Sequence, residues 1–228
     1  TANNTPGLCS AIVSVTPATA TDNCAVQGVP TGIRSDGLAL SDPYPVGVTT
    51  ITWNVSDVNG NPAIVVLQTV TVVDNELPTF AVCPGNITRN NDPGVCGANV
   101  TFLIIANDNC GPTTVTQSHP SGFLFPIGTT TVTATATDGA GQIATCTFTV
   151  TVTDNQPPAT PVLPVLTGSC SVTAPVPTTT DNCQAIVTGT TADPLTYTSQ
   201  GTHTINWTFT DPNGNSITVP QTVIVDDN

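Results

Sequence analysis

An all-β fold of three tandem immunoglobulin-like β-sandwich domains, arranged as a semi-rigid rod, is what this 228-residue sequence predicts. Three observations carry the prediction. Thr is the commonest residue and Val the next, a strand-forming stock, whereas Lys and Met are absent and Glu occurs once. Long helices need Ala, Leu, Glu, Lys and Arg in quantity, so helical bundles and doubly wound α/β folds are poor candidates. Apolar residues alternate with Thr at period two, as in Cys146-Thr-Phe148-Thr-Val150-Thr-Val152-Thr and Thr131-Val132-Thr-Ala134-Thr-Ala136-Thr. Finally, the whole pattern occurs three times.

The first block carries Cys9-Ser-Ala-Ile-Val, then Thr21-Asp22-Asn23-Cys24, then Trp53-Asn-Val-Ser-Asp57-Val-Asn59-Gly60-Asn61, and closes at Asp74-Asn75. The second carries Cys96-Gly-Ala-Asn-Val, Asn107-Asp108-Asn109-Cys110, Ala134-Thr-Ala-Thr-Asp138 and Asp154-Asn155. The third carries Cys170-Ser-Val-Thr, Thr180-Asp181-Asn182-Cys183, Trp207-Thr-Phe-Thr-Asp211-Pro-Asn213-Gly214-Asn215 and Asp227-Asn228. Domains are therefore expected at 1–75, 76–155 and 156–228, joined by short Pro-containing segments that stiffen the chain. Between the alternating runs, Asn59-Gly60, Gly139 and Asn213-Gly214 read as hairpin turns. The first block has only Thr1 to Leu8 before its first Cys, so it is expected to lack an opening strand. This suggests a segment of a longer array, or a subunit completed by a neighbour's strand.

Aligning the blocks on their closing Asp-Asn sharpens the packing. The inward positions of the penultimate strand are Ile51, Trp53 and Val55, then Val132, Ala134 and Ala136, then Ile205, Trp207 and Phe209. On the last strand they are Val66 and Gln68, Cys146 and Phe148, and Val219 and Gln221. A large Trp thus accompanies a Gln, and a small Ala accompanies a Phe. Constant core volume predicts this swap, because cavities and overpacking both destabilise. The two strands are expected side by side, with each Gln amide near its Trp.

Each block holds two Cys just upstream of its core, and sequence proximity pairs Cys9 with Cys24, Cys96 with Cys110, and Cys170 with Cys183. Cys83 and Cys146 remain, and should bridge the first and last strands of the second block. Domains this small gain from such cross-links. Disulfides imply a secreted, periplasmic or cell-surface location. Wide spacings, the absence of C-x-x-C and the distance of His119 and His203 from any Cys argue against a zinc site.

The second block resembles a hyalin repeat (HYR) domain of the kind strung along bacterial surface proteins. The resemblance rests on Pro78-Thr-Phe80 with Cys83-Pro84-Gly85-Asn86-Ile87, on Asp108-Asn109-Cys110-Gly111, and on Phe125-Pro126-Ile127-Gly128 leading to Thr137-Asp138. It continues through Cys146-Thr-Phe148-Thr-Val150-Thr-Val152 to Asp154-Asn155 and covers about residues 76–155. The outer blocks are similar but lack the Cys83/Cys146 pair and look like a divergent subtype. The resemblance implies an immunoglobulin-like fold and an adhesive, filament or spacer role outside the cell, with no catalytic chemistry.

The formal charge of −13, with only Arg34 and Arg89 basic, disfavours nucleic acid and anionic membrane surfaces as partners. No apolar run reaches the length of a membrane-spanning helix. Asp57, Asn59 and Asn61, and likewise Asp211, Asn213 and Asn215, alternate oxygen donors around a Gly turn, a spacing suited to calcium. Asp22, Asp181, Asp74 and Asp227 recur at motif ends and could complete such sites. The competing reading is that Asn-Gly closes hairpins and Asp-Asn forms Asx turns. The leading functional expectation is a structural segment of an adhesin, gliding or surface filament, or stalk, whose partners are neighbouring repeats or subunits of the same protein. The alternative is a module that grips glycan or a surface protein through exposed loops such as Thr31 to Tyr44, which contains Arg34. A third reading is an accessory part of a larger secreted enzyme.

Overall fold

The computed structural model describes residues 1–227, and Asn228, counted above in the last Asp-Asn pair, lies outside the described residues. Among the described residues the chain is all-β, with no helix. The first block forms β1 (Ala2–Asn3), β2 (Ser10–Ala11), β3 (Thr31–Arg34), β4 (Tyr44–Pro45), β5 (Gly47–Asn54) and β6 (Val66–Val73). Its main sheet has the order β1-β6-β5-β3, and β2 pairs with β4. Ala2–Asn3 runs parallel to the end of β6, the place an opening edge strand would take.

The second block forms β7 (Thr79–Val82), β8 (Ile87–Asn90), β9 (Gly97–Val100), β10 (Ile105–Asn107), β11 (Thr114–Gln117), β12 (Phe123–Pro126), β13 (Gly128–Thr137) and β14 (Ile143–Thr153). Its sheets run β11-β13-β14-β8, β10-β7 and β12-β9. The third forms β15 (Leu166–Gly168), β16 (Val172–Thr173), β17 (Thr178–Thr179), β18 (Val187–Thr188), β19 (Thr196–Tyr197), β20 (Gly201–Thr210) and β21 (Ser216–Val225). There β15 lies parallel to β21, and β20 pairs antiparallel with β21 along its whole length. An edge strand parallel to the last strand therefore recurs in all three blocks, as β1, β8 and β15. This is the immunoglobulin-like arrangement expected from the alternation.

Two compact units are present. Unit one comprises Thr1–Cys83, Leu103–Ser118 and Thr133–Thr147; unit two comprises Pro84–Phe102, His119–Val132 and Phe148–Asn228. The division passes through β13 and β14, so each unit holds one of the segments where successive blocks meet.

The expected Trp–Gln pairing is present twice. In unit one β5 lies beside β6 with Ile51 opposite Gln68, and the Trp53 Nε1–H donates to Gln68 Oε1 at 2.8 Å. In unit two Ile205 faces Gln221, and Trp207 Nε1 donates to Gln221 Oε1 at 2.9 Å. A buried indole N–H needs an acceptor, and the Gln supplies it. The second block has buried Ala134 and Phe148 at the aligned positions, and Phe148 meets Phe102 edge-on at 4.9 Å. Gly32 lies opposite Trp53, where a Cβ would stand 3.0 Å from the indole ring. Val66 departs from the expected core, being 54% exposed near the open end of its strand.

Within the loop Thr31 to Tyr44, the Arg34 expected at an exposed loop is buried. Arg34 is only 2% exposed and Tyr44 is fully buried. The Arg34 guanidinium donates to the carbonyls of Ala39, Asp42 and Pro43 at 2.7–3.1 Å, pairs with Asp36, and lies 3.8 Å from the centre of the Tyr44 ring. The long loop folds around its own cation, which donates to three of the loop's carbonyls, and neither side chain is presented to a ligand.

Candidate functional site

The closing Asp of one block meets the Asp-Asn-Cys loop of the next, once in each unit. In unit one β6 delivers the buried Asp74 beside Asp108 and Cys110: a carboxylate oxygen of each Asp and the Cys110 Sγ all lie within 4.8 Å of one another. In unit two β14 delivers the buried Asp154 beside Asp181 and Cys183 in the same way. The Asp-Asn-Cys sequence folds as an Asx turn in both: Cys110 N–H donates to Asp108 Oδ2 at 2.7 Å, and Cys183 N–H to Asp181 Oδ2 at 2.8 Å.

The hydrogen bonds around the two clusters correspond group for group. Asn109 Nδ2 donates to the Leu8 carbonyl at 3.2 Å, and Asn182 Nδ2 to the Val95 carbonyl at 3.1 Å. Those carbonyls also accept from Asn4 and Asn91, both buried. The Gly7 N–H donates to Glu76 Oε1 at 2.7 Å, and the Gly94 N–H to Gln156 Oε1 at 2.9 Å. Gln142 Nε2 reaches the Asp74 carbonyl at 2.9 Å, and Asn215 Nδ2 reaches the Asp154 carbonyl at 3.3 Å. Glu76 and Gln156 differ by one charge yet hold the same backbone N–H, so the linkage is a hydrogen bond in both.

The cysteines correct the expected pairing. Cys83 bonds Cys146 as anticipated, but Cys96 bonds Cys183, joining the second block to the third. Cys96 and Cys110 do not pair because the chain between them runs out as β9 and β10: Cys96 belongs to unit two and Cys110 to unit one. Cys170, expected with Cys183, is exposed and free, as is Cys24. Cys9, expected with Cys24, lies against Cys110, whose thiol it hydrogen-bonds. Burial first, then that contact and the nearby Asp74 and Asp108 carboxylates, push the Cys110 thiol up to about 12.

The expected calcium ligands divide into two groups. The Asp-x-Asn-x-Asn loops satisfy themselves: Asp57 Oδ1 accepts from the N–H groups of Asn59 and Asn61 at 2.8 Å, and Asp57 Oδ2 accepts from Asn61 Nδ2 at 2.7 Å. The Asn61 side chain and then its N–H hold the Asp57 carboxyl below the usual range. Asp211 is bound identically by Asn213 and Asn215. In both turns the glycine takes a positive φ, +87° at Gly60 and +92° at Gly214. Asp22 caps its own turn through Cys24 N–H, and Asp227 N–H donates to Gln200. Asp74 and Asp181 enter the acidic clusters instead, with Asp108 and Asp154, which complete them. One carboxylate oxygen on each of Asp108, Asp138, Asp154 and Asp181 is buried with no hydrogen-bond partner. The signal that could have found Asp108 was its alignment with Asp22 and Asp181 in the repeated Asp-Asn-Cys motif.

Of the two histidines, His203 stacks on Tyr197 with ring centres 4.5 Å apart, and His119 packs edge-on against Phe123 at 4.8 Å.

The chain is 35% identical over 226 residues to hyalin of Strongylocentrotus purpuratus, covering 92% of this chain and 18% of that protein. It is 31% identical over 170 residues to the Sushi, von Willebrand factor type A, EGF and pentraxin domain-containing protein 1 of Rattus norvegicus, covering 70% of this chain and 5% of that protein. The chain thus spans less than a fifth of either relative. Among solved structures, Drosophila N-cadherin EC1-4 aligns with a TM-score of 0.36 at 13% identity, over 82% of this chain and 59% of that one. The relatives and the disulfides place the chain outside the cell, secreted or at the cell surface. Residues 73–152 match the HYR domain model, and with the hyalin similarity running beyond them on both sides, the chain belongs to the HYR-domain family.

Proposed function

We propose that this chain is a stapled structural segment of an extracellular adhesin, filament or stalk, built of three tandem domains at 1–75, 76–155 and 156–228. Its partners are neighbouring repeats or subunits. The observation that carries the reading is the Cys96–Cys183 bond, which ties one block to the next beside a hydrogen-bonded junction. Such a bond serves the transmission of tension, because pulling on the chain ends loads a covalent short cut and bypasses the folded core. Single-molecule stretching tests it. Adding reductant frees an 87-residue span and is expected to lengthen the fully extended molecule by at least about 280 Å, at 3.3–3.6 Å per residue. A smaller gain removes the tensile reading.

A second reading is favoured by the buried carboxylate oxygens that have no partner. A divalent cation such as calcium would satisfy them, with Asp74 and Asp108 as ligands in unit one and Asp154 and Asp181 in unit two. Calcium at a hundredfold excess over its Kd is expected to stabilise the protein by about 3 kcal/mol. Thermal melts with calcium and with a chelator measure this. The stabilisation should fall in Asp181→Asn and persist in Asp57→Asn, and a melt unaffected by chelator excludes the site.

A further inference from the structure

We infer that the cysteines follow a one-repeat stagger, in which the first cysteine of each repeat bonds the second cysteine of the repeat that follows. Cys96–Cys183 is the formed instance. By alignment Cys9 corresponds to Cys96 and Cys110 to Cys183, so the stagger assigns a Cys9–Cys110 disulfide in unit one. The geometry around that pair repeats the formed one. Leu8 and Val95, the residues just before Cys9 and Cys96, accept from Asn109 and Asn182, the residues just before Cys110 and Cys183. The two thiols are already in hydrogen-bond contact. In both places the same asparagine amide lies within 3.5 Å of the second cysteine's sulfur.

The same rule gives the remaining cysteines a partner. Cys170, the first cysteine of its repeat, takes the second cysteine of another repeat of this kind, and Cys24 takes a first cysteine; a second copy of the chain carries both. Cys24 and Cys170 are the exposed members of the set, and both are free. Near Cys24 a cavity of about 210 Å³ is lined by Asp22, Asp57 and Asn61. These are the counterparts of Asp181, Asp211 and Asn215, and in unit two Asp181 and Asn215 receive the Asp154 end of the preceding repeat. The cavity is thus the receiving half of a junction, beside a cysteine of the receiving type. Each bond forms by exchange with an oxidised small-molecule disulfide. One protein thiolate attacks it and releases a small thiol, and the second protein thiolate displaces the other. The two protein thiols lose two protons and two electrons, and the carrier leaves as two thiols.

Arg34 and Arg89 are the chain's only basic residues, which makes the test direct. The oxidised chain is alkylated, denatured and cut by trypsin without reductant, giving segments 1–34, 35–89 and 90–228. Segment 1–34 is expected to stay bound to 90–228, in a linked peptide containing Cys9 and Cys110, and to be freed by Cys9→Ser but not by Cys24→Ser. Its release from the unsubstituted chain, as a Cys9–Cys24 pair requires, overturns the stagger; the linked peptide is read directly by mass, so the result does not depend on either variant folding. For the outward bonds, Cys24→Ser and Cys170→Ser chains are mixed in oxidised glutathione. A mixed Cys170–Cys24 dimer is expected at several times the amount of either like dimer. A statistical mixture, or no dimer, overturns the assignment to a second copy. These readouts are independent of the stretching experiment, which the Cys96–Cys183 bond alone satisfies.

Discussion

Arg34→Met is expected to destabilise unit one by about 2–3 kcal/mol, through loss of the charge-assisted hydrogen bonds that a buried guanidinium donates. Methionine fills much of the space and leaves the charge network undone. The carbonyls of Ala39, Asp42 and Pro43 lose their donor inside the loop, and each lost hydrogen bond from the guanidinium contributes. The Tyr44 ring, fully buried, loses the cation on its face. Denaturant unfolding followed by Trp fluorescence measures the effect; a change below about 1 kcal/mol would show that the network is incidental. A pH dependence follows from the same group. The Arg34 hydrogen bond, the first of the causes, holds the Asp36 carboxyl below its ordinary value. A depressed carboxylate contributes stability that is present above its unfolded pKa of about 3.9 and is lost as pH falls through the folded value. Melting curves taken downward from pH 5 should therefore decline below about pH 4, and Asp36→Asn should remove that part of the decline.

Trp207→Ala is expected to cost unit two about 3–5 kcal/mol, the usual penalty for emptying a large buried aromatic site. The indole is 1% exposed and its partner Gln221 is 3% exposed, so the amide oxygen that accepts at 2.9 Å is stranded along with the cavity. The second block carries a different pair at the aligned positions, Ala134 and Phe148, both buried. The double variant Trp207→Ala/Gln221→Phe copies it and is expected to recover more than half of the loss. Equilibrium unfolding of the four chains in the cycle gives the coupling directly. If the two substitutions simply add, the compensation between these strands does not exist.

The compensation was readable because it is local. Trp207 and Gln221 sit on consecutive strands joined by a tight turn, and period two assigns both to one face. Asp57 was half readable: its spacing to Asn59 and Asn61 is equally that of oxygen ligands and of a turn that satisfies its own carboxylate, and only the geometry separates them. Arg34 was misread because charge at a loop suggests solvent, whereas this loop turns three carbonyls and the Asp36 carboxylate inward onto Arg34. The cysteines were least readable. In a repeating chain every Cys has a near partner in sequence and an equivalent one a repeat away. Which it meets depends on how β9 and β10 carry the chain from one unit to the other. The acidic clusters share that cause, since Asp74 and Asp108 belong to different blocks.

The two formed disulfides overlap along the chain, one ring spanning Cys83 to Cys146 and the other Cys96 to Cys183. Any single backbone cut between residues 83 and 183 falls inside at least one ring, so the severed molecule remains one covalent object. Arg89, whose side chain is about half exposed where that of Arg34 is fully covered, lies in this stretch. A protease that finds it nicks the chain without parting it. Outside the cell, where no synthesis replaces a broken strand in place, such a segment ages by accumulating nicks, and residues 83 and 183 part only when the stretches 83–96, 96–146 and 146–183 have each been cut.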